Sequence, residues 1–348
     1  MRPRCSRSTS RASGSSEPDA PPGLGGTRLS AVVNVEEGHL PVMVEEVMAA
    51  LSPVPGSFQI DATVGGGGHA LRVLEAATPG GRLLGLDADR AAIARARRRL
   101  AAYGDAVVLR RANFEQLADV APAAGFEAVD GVLFDLGLSS HQLADEQRAF
   151  SFRAEGPLDM RFDVSRGVPA SALIASLDER ELADLFRRFG EEPNARRIAR
   201  AVTQRRREAP IETGRRLAQV VSDAAPKRPG RPTRIHPATR VFQALRIAVN
   251  RELEVLPKAL DAAVALLRPD GRLCVISYHS LEDRIVKRFV AAERRGCVCP
   301  PEVPVCVCGR APRLAPVGPQ PQRPTDVEVE RNPRSRSARL RVARRLAA

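Results

Sequence analysis

Three acids and a few polar and aromatic residues recur in this chain at one kind of place, the end of an apolar run. SFQI leads into Asp61, RLLGLDAD carries Asp87, and AVVLRRANF ends in Asn113 and Phe114. AVDGVLFDLG carries Asp135, and RLCVISYHS ends in Tyr278, His279 and Ser280. In an open parallel sheet, ligands bind outside the carboxyl ends of the strands, so five such endings describe one shared crevice. Between Asp61 and the helical pattern ALRVLEAA stand four consecutive glycines and His69. Glycine is entropically costly, so a run of four is expected where main chain takes positive φ or approaches another group closely. The loop lacks GxGxxG and the lysine of a phosphate-gripping loop, which favours a nucleoside-like ligand without a triphosphate. Asp87 lies 26 positions after Asp61, near the spacing at which doubly wound domains place an acid for ribose hydroxyls.

To hold these endings side by side the chain needs apolar strands alternating with helices, a doubly wound α/β fold. At 348 residues and 43% hydrophobic content it can bury a large core. Alternation is interrupted from about Gln142 to Arg246, where helical patterns such as ASALIASLDERELADLFRRFG and NARRIARAVTQRRRE follow one another. A helical insertion after the fourth strand is expected there. VFQALRIAVNRELEVLPKALDAAVALL then reads as one long amphipathic stretch, and RPDGRLCVIS as a turn into a strand. The expected organisation is a disordered leader over 1–35, rich in Ser, Arg, Pro and Gly. A first core part follows over 36–141, the Arg-rich insertion over 142–246, and a second core part over 247–348 with a Cys/Pro-rich connection and a basic C-terminus. No apolar run reaches the ~18 residues of a membrane span. The N-terminus has no apolar h-region, so a cytoplasmic protein is expected.

The net charge of +13 is unevenly distributed. Between Ala195 and Arg251 fifteen Lys or Arg face three acids, Glu208, Glu212 and Asp223, and Arg331 to Arg345 holds seven arginines and no acid. The rest of the chain is therefore net acidic. A GC-rich coding sequence explains the preference for Arg over Lys, but not the segregation of Arg from acids, which is the footprint of a polyanion site. With no Trp and two Tyr, contacts to nucleic acid are expected mainly with phosphates and shape.

HLPVM at 39–43, DATVGGGGH at 61–69, FDLGLSSHQL at 134–143, FSF at 150–152 and GPLDMRFD at 156–163 occur in order. FGEEPNARRIA at 189–199, HPATRVFQALRIAVNREL at 236–253, ISYHSLEDRIVKRF at 276–289 and NPRSRSARLR at 332–341 complete the set. From His39 to Arg341 the chain closely resembles the MraW family, the bacterial ribosomal RNA small subunit methyltransferases H that act on cytosine N4. The resemblance implies a class I S-adenosylmethionine-dependent fold with a helical insertion, methylating one cytidine of 16S rRNA near the ribosomal P site. Carried over by motif, the cofactor contacts are Gly67, Gly68, His69, Asp87, Phe114, Asp135 and Gln142. Asp87 can accept from both ribose hydroxyls, Phe114 can cover the adenine, and the glycines admit the methionine portion. Asp61 could pair with the ammonium directly or through water. The family usually has Pro where His141 stands, and the aromatic of its YGEE is Phe189 here. His141 is given no catalytic role.

Methyl transfer to an exocyclic amine is a displacement at carbon in which alignment supplies much of the rate. The amine lone pair is delocalised into the ring, so a site gains by accepting hydrogen bonds from the amino hydrogens. Candidate acceptors are Asp135, Ser139, Ser140, Asp159, Tyr278, His279 and Ser280, although His279 equally suits capping the helix after it. No ordered acid accompanies the Ser-His pair, which disfavours a hydrolytic triad. The base must be single-stranded or flipped into the crevice. The expected partner is 16S rRNA within the small subunit, recognised by the assembled shape, and no membrane. Two other classes stay open: an assembly or RNA-binding factor that keeps the fold without turnover, and a nicotinamide enzyme, disfavoured by the missing GxGxxG and the basic insertion.

Five of the six cysteines follow the fourth strand. Cys297, Cys299, Cys306 and Cys308 form two CxC pairs that could make a four-thiolate zinc loop of structural role. The spacing is not the usual CxxC, and unligated thiols in a reducing cytoplasm are the plainer reading. No metal is expected on that reading. Cys274, in LCVIS, is expected in the core.

Overall fold

The computed structural model describes residues 40–226, 236–300 and 305–347. The leader expected over 1–35, His39 of HLPVM, residues 227–235 of the insertion and residues 301–304 of the cysteine-bearing connection lie outside the described residues. Among those described, one sheet contains β1 Phe58–Asp61, β2 Arg82–Asp87, β3 Val107–Arg111, β4 Val129–Asp135, β5 Leu267–Ser277, β6 Leu314–Pro316 and β7 Arg339–Arg345. Their spatial order is β3-β2-β1-β4-β5-β7-β6. β1 to β5 are parallel, whereas β7 runs antiparallel to both its neighbours. The chain builds outward from β1 to β3 and then returns to β4 beside β1. Strand order thus reverses between β1 and β4, whose C-terminal ends flank the switch-point crevice.

Successive strand residues face opposite sides, and helices cover both sides of this sheet. Val132 and Phe134 of β4 and Val275 of β5 pack with Leu256, Leu260 and Ala263 of the helix Glu252–Leu266. Leu133, Cys274 and Ile276 enter a second cluster with Val73 and Leu74 of the helix Gly68–Ala77. Each such side chain contributes roughly 1.5–3 kcal/mol when fully buried. Burial on both sides is why these strands read as near-continuous apolar runs.

A third cluster has all its buried members between Ala149 and Leu245. Helices Ala170–Ser176, Glu179–Gly190, Ala195–Glu208, Gly214–Ala224 and Ala238–Asn250 supply most of it. Leu182 and Phe186, Ile198 and Val202, and Leu217 and Val221 each recur four residues apart, one inward stripe per helix. Asp178 and Glu181 form a reciprocal capping box, both bonds 2.8 Å, at the start of Glu179–Gly190. Among the described residues no helix is long and apolar enough to cross a membrane.

Two boundaries differ from the sequence reading. The stretch from Val241 to Leu267 is divided at Arg251, which takes φ 54° between Ala238–Asn250 and Glu252–Leu266. Left-handed backbone costs a non-glycine residue roughly 1–2 kcal/mol, and tertiary bonds offset it. Asn250 donates to the Met160 carbonyl and accepts from the Phe162 N–H, both at 2.8 Å. Arg246 forks onto Glu252 at 2.9 and 3.0 Å. The second difference is RPDG, which lies inside β5 instead of before it. There Asp270 takes φ 66° and the register against β4 shifts between Val129 and Gly131.

Candidate active site

The glycine loop leaves β1 at Asp61 and turns twice through positive φ, at Gly65 (53°) and Gly67 (80°), before the helix Gly68–Ala77. Gly68 answers a different need: a Cβ there would stand 2.9 Å from the Pro41 ring, so only glycine lets the 40–43 segment close over the loop. His69, in the first helical turn, fastens that closure. Its Nε2 lies 2.9 Å from the Val42 carbonyl, which can only accept, so Nε2 carries a proton. Its Nδ1 faces Asp135 Oδ2 at 3.7 Å. Near the C-terminus, Asn332 donates to the Leu40 carbonyl at 3.1 Å and Glu328 accepts from the Met43 N–H at 2.7 Å.

The strand-end acids meet in this recess. Asp87 accepts from the Gly65 N–H at 3.0 Å and the Asp89 N–H at 2.8 Å, yet burial still raises its carboxyl to about 6. Asp61 is buried, and burial raises it to about 7 against the opposing pull of His69; Asp135 and Asp87 add like-charge repulsion. Asp135 is also raised, again chiefly by burial, while the Tyr278 hydroxyl donates to its Oδ1 at 2.8 Å. Burial and the Asp135 charge hold the Tyr278 hydroxyl well above its ordinary range, so it remains a donor. His69 and, for Asp87, Arg95 offset the burial of these three acids only in part, which leaves a deficit of positive charge around them.

That deficit has a consequence for stability. Asp61 titrates higher folded than unfolded, so between about 4 and 7 the folded state holds a proton that the unfolded chain has lost. Its unfavourable contribution grows across that window and is constant above it. Asp61→Asn is therefore expected to stabilise the protein by roughly 1–3 kcal/mol at pH 8 and to make little difference at pH 4. Thermal unfolding at the two pH values checks this, and equal Tm changes at both would contradict it.

Gly68, His69, Asp87, Phe114, Asp135 and Gln142 all line the crevice, as do Ser139 and Tyr278. Phe114 stands edge-on to Phe134, ring centroids 5.8 Å apart. Gln142 is buried, its amide donating to Asp89 at 3.3 Å and accepting from the Ser139 N–H at 3.0 Å. Gly67 is turned toward Ala96 and Leu100 and shapes the loop from behind. Asp61 lies behind the lining. Asp159, Ser140, His279 and Ser280 are not brought to the crevice wall. Asp159 accepts two bonds from Arg161, at 2.8 and 2.7 Å, which hold its carboxyl below the usual range. His279 caps the helix Ser280–Arg295 in a reciprocal box with Glu282, and Ser280 donates to Glu191. Ser140 opens the short helix Ser140–Ala144.

Sequence reasoning passed over Asp89, Asn250, Glu252 and Glu282. Asp89 caps Arg90–Arg99 through the Ala91 N–H while also accepting from Gln142 and from Arg148 at 2.9 Å. Glu252 and Asn250 line the crevice and sit in VNREL, at the end of the motif over 236–253. Glu282 accepts from the Tyr278 N–H at 3.0 Å and so sets the tyrosine's approach to Asp135.

A parallel sheet in this order with β7 alone reversed, a glycine loop after β1 and a carboxylate at the tip of β2 together define a class I S-adenosylmethionine-dependent methyltransferase fold. The model of the MraW methylase family matches residues 36–346, and the chain belongs to that family. It is 53% identical over 320 residues to the ribosomal RNA small subunit methyltransferase H of Thermomicrobium roseum, covering 92% of this chain and 97% of that protein. The protein of the same name from Symbiobacterium thermophilum is 50% identical over 310 residues, 89% of this chain and 97% of its own.

Proposed function

We propose that this chain methylates the exocyclic N4 of one cytidine in 16S rRNA, near the ribosomal P site and on the assembled small subunit, with S-adenosylmethionine as donor. The observation that carries the reading is the meeting of the glycine loop, Asp87 and the Asp135–Tyr278 pair in one crevice at the switch point. The residues present fit the donor. Asp87 keeps lone pairs for ribose hydroxyls, Phe114 offers a ring face for adenine, Gly65 and Gly66 line the wall without side chains, and Asp61 and Asp135 want a cationic partner. Gly67, Gly68 and His69 shape and close the loop, and Gln142 completes the lining from its place between Asp89 and Ser139.

When bound, the donor supplies an electrophilic methyl on a sulfonium. The chain's own part is to present the amine. Asp135 accepts from the N4 amino hydrogens and localises the lone pair, and it takes the displaced proton on Oδ2, the oxygen that Tyr278 leaves open. Tyr278 is a positioning residue that holds the carboxylate in one rotamer and favours its ionised form. The insertion at 142–246 holds RNA next to the crevice. Arg196, Arg197, Arg207 and Arg216 are exposed there and make no ion pair among the described residues. Replacing these four by Ala is expected to raise KM for small subunits at least tenfold with kcat within twofold. The slope of log affinity against log salt should shrink by ~0.7 per lost phosphate contact. Unchanged KM and slope would move the RNA to another face.

Calorimetry with S-adenosylmethionine and with NAD, followed by methylation assays on small subunits and on naked 16S rRNA, tests the reading. Binding of the first ligand only, and turnover on subunits well above naked RNA, is the expected outcome. Equal methylation of naked RNA would remove the assembled subunit from the proposal.

A further inference from the structure

The cysteine-bearing connection between the helix Ser280–Arg295 and β6 plays no part in this chemistry, yet its four sulfurs converge. Cys306 Sγ is 3.5 Å from Cys297 Sγ, 3.5 Å from Cys308 Sγ and 4.0 Å from Cys299 Sγ, and Cys297 and Cys308 are 3.9 Å apart. All four lie within 4.8 Å of one another. A disulfide needs about 2.05 Å, and the four thiols are free. Tetrahedral zinc with Zn–S bonds of about 2.3 Å spaces its ligand sulfurs about 3.8 Å apart, the middle of the observed range.

The backbone around the cluster is arranged for negative sulfur. The Val307 N–H donates to Cys299 Sγ at 3.4 Å, and the N–H groups of Val298 and Arg310 donate to Cys308. The Cys299 N–H donates to Cys297. Such donors orient thiolate ligands and spread their charge. Gly309, at φ 64°, follows Cys308 and lets the chain turn so that the next N–H points back at the sulfur. Both ends of the connection are held together independently of the thiols. Arg310 pairs with Glu293 at 3.1 Å, and a Cβ on Gly296 would strike the backbone of Ala311 and Pro312 at 2.6 and 2.5 Å.

We propose that Cys297, Cys299, Cys306 and Cys308 form a four-thiolate site for one structural zinc ion, which clips the end of Ser280–Arg295 to the strand pair β6 and β7. This revises the plainer reading of the sequence, in which the thiols stay unligated. The CxC spacing is no obstacle, because the second pair reaches across the connection and the tetrahedron closes between pairs. Four thiolates leave no open position, so the ion takes no part in turnover.

The test uses the full chain, prepared reduced with zinc supplied and dialysed against metal-free buffer. Elemental analysis is expected to find one zinc per chain, released when a mercurial reagent titrates the thiols. Cobalt(II) added to metal-stripped protein should give intense thiolate-to-cobalt charge-transfer bands and the d–d absorption of a tetrahedral ion. Cys306→Ser and Cys308→Ser should each cut zinc content at least tenfold and abolish those bands, whereas Cys274→Ala, a buried residue of β5, retains both. Should the Ser variants not fold, the cobalt spectrum of the unaltered chain decides alone. Four freely titrating thiols without bound zinc, two disulfides, or iron in place of zinc would each overturn the proposal.

Discussion

Asp135→Asn is expected to lower kcat for methyl transfer by about two to four orders of magnitude, the range of a positioned proton acceptor. Its affinity for S-adenosylmethionine should change less than tenfold. The amide is nearly isosteric and still accepts from the Tyr278 hydroxyl, so the loss reports the charge and basicity of the carboxylate. The pH profile carries the sharper test. Asp135 is raised from its ordinary value chiefly by burial, and only its ionised form can take the proton that the amine releases. In the unaltered protein log kcat should therefore climb with pH to a plateau as that proton is lost, and Asp135→Asn should lack the limb. Tyr278→Phe removes a bond that favours the ionised form, so its limb should move to higher pH with a smaller, roughly five- to thirtyfold, fall in kcat. A merely structural tyrosine would lower Tm and leave the limb in place.

Asp87→Ala should weaken S-adenosylmethionine binding by about 30- to 1000-fold, from two charge-assisted hydrogen bonds of about 1.5 kcal/mol or more each, partly replaced by water. The expectation is specific to ribose. The unaltered protein should prefer S-adenosylmethionine over its 2′-deoxyribose analogue, and Asp87→Ala should bind both equally. Asp87 also receives the Gly65 and Asp89 N–H groups, so Asp87→Asn, which keeps an acceptor for one of them, separates loop collapse from lost ribose contact. Calorimetry of the three proteins with each of the two ligands suffices. Retention of the ribose preference in Asp87→Ala would place the nucleoside elsewhere.

The residues that were legible in the sequence share a physical cause. β1, β2, β4 and β5 are buried on both faces, so they stand out as apolar runs that stop sharply, and a residue at or just past each stop borders the crevice. Asp87, Asp135 and Tyr278 are found by that rule alone. The glycine loop is legible because Gly65 and Gly67 need positive φ and Gly68 needs closeness to Pro41, demands that few other residue types meet. The features that escaped depend on partners far along the chain. Asp89 looks like an ordinary helix cap, and its second role rests on Gln142 and Arg148, 53 and 59 positions away. The break at Arg251 comes from Asn250 bonding to residues 88 and 90 positions earlier, against a hydrophobic period that continues through it. His279 and Ser280 carry catalytic residue types at a catalytic place, but a capping box and a bond to Glu191 engage them. Residue type and strand end select such candidates without telling which way a side chain turns. The four cysteines are gathered by the fold despite an unusual spacing that the sequence reading weighed against them.

The central claim is the atom that receives the methyl group. Purified protein is incubated with methyl-labelled S-adenosylmethionine and small ribosomal subunits lacking the modification, and the RNA is digested to nucleosides and resolved by chromatography. The expected result is label in N4-methylcytidine at one equivalent per subunit or less, and none in other nucleosides. Label in a different nucleoside, or no label from a protein that binds the donor, would contradict it.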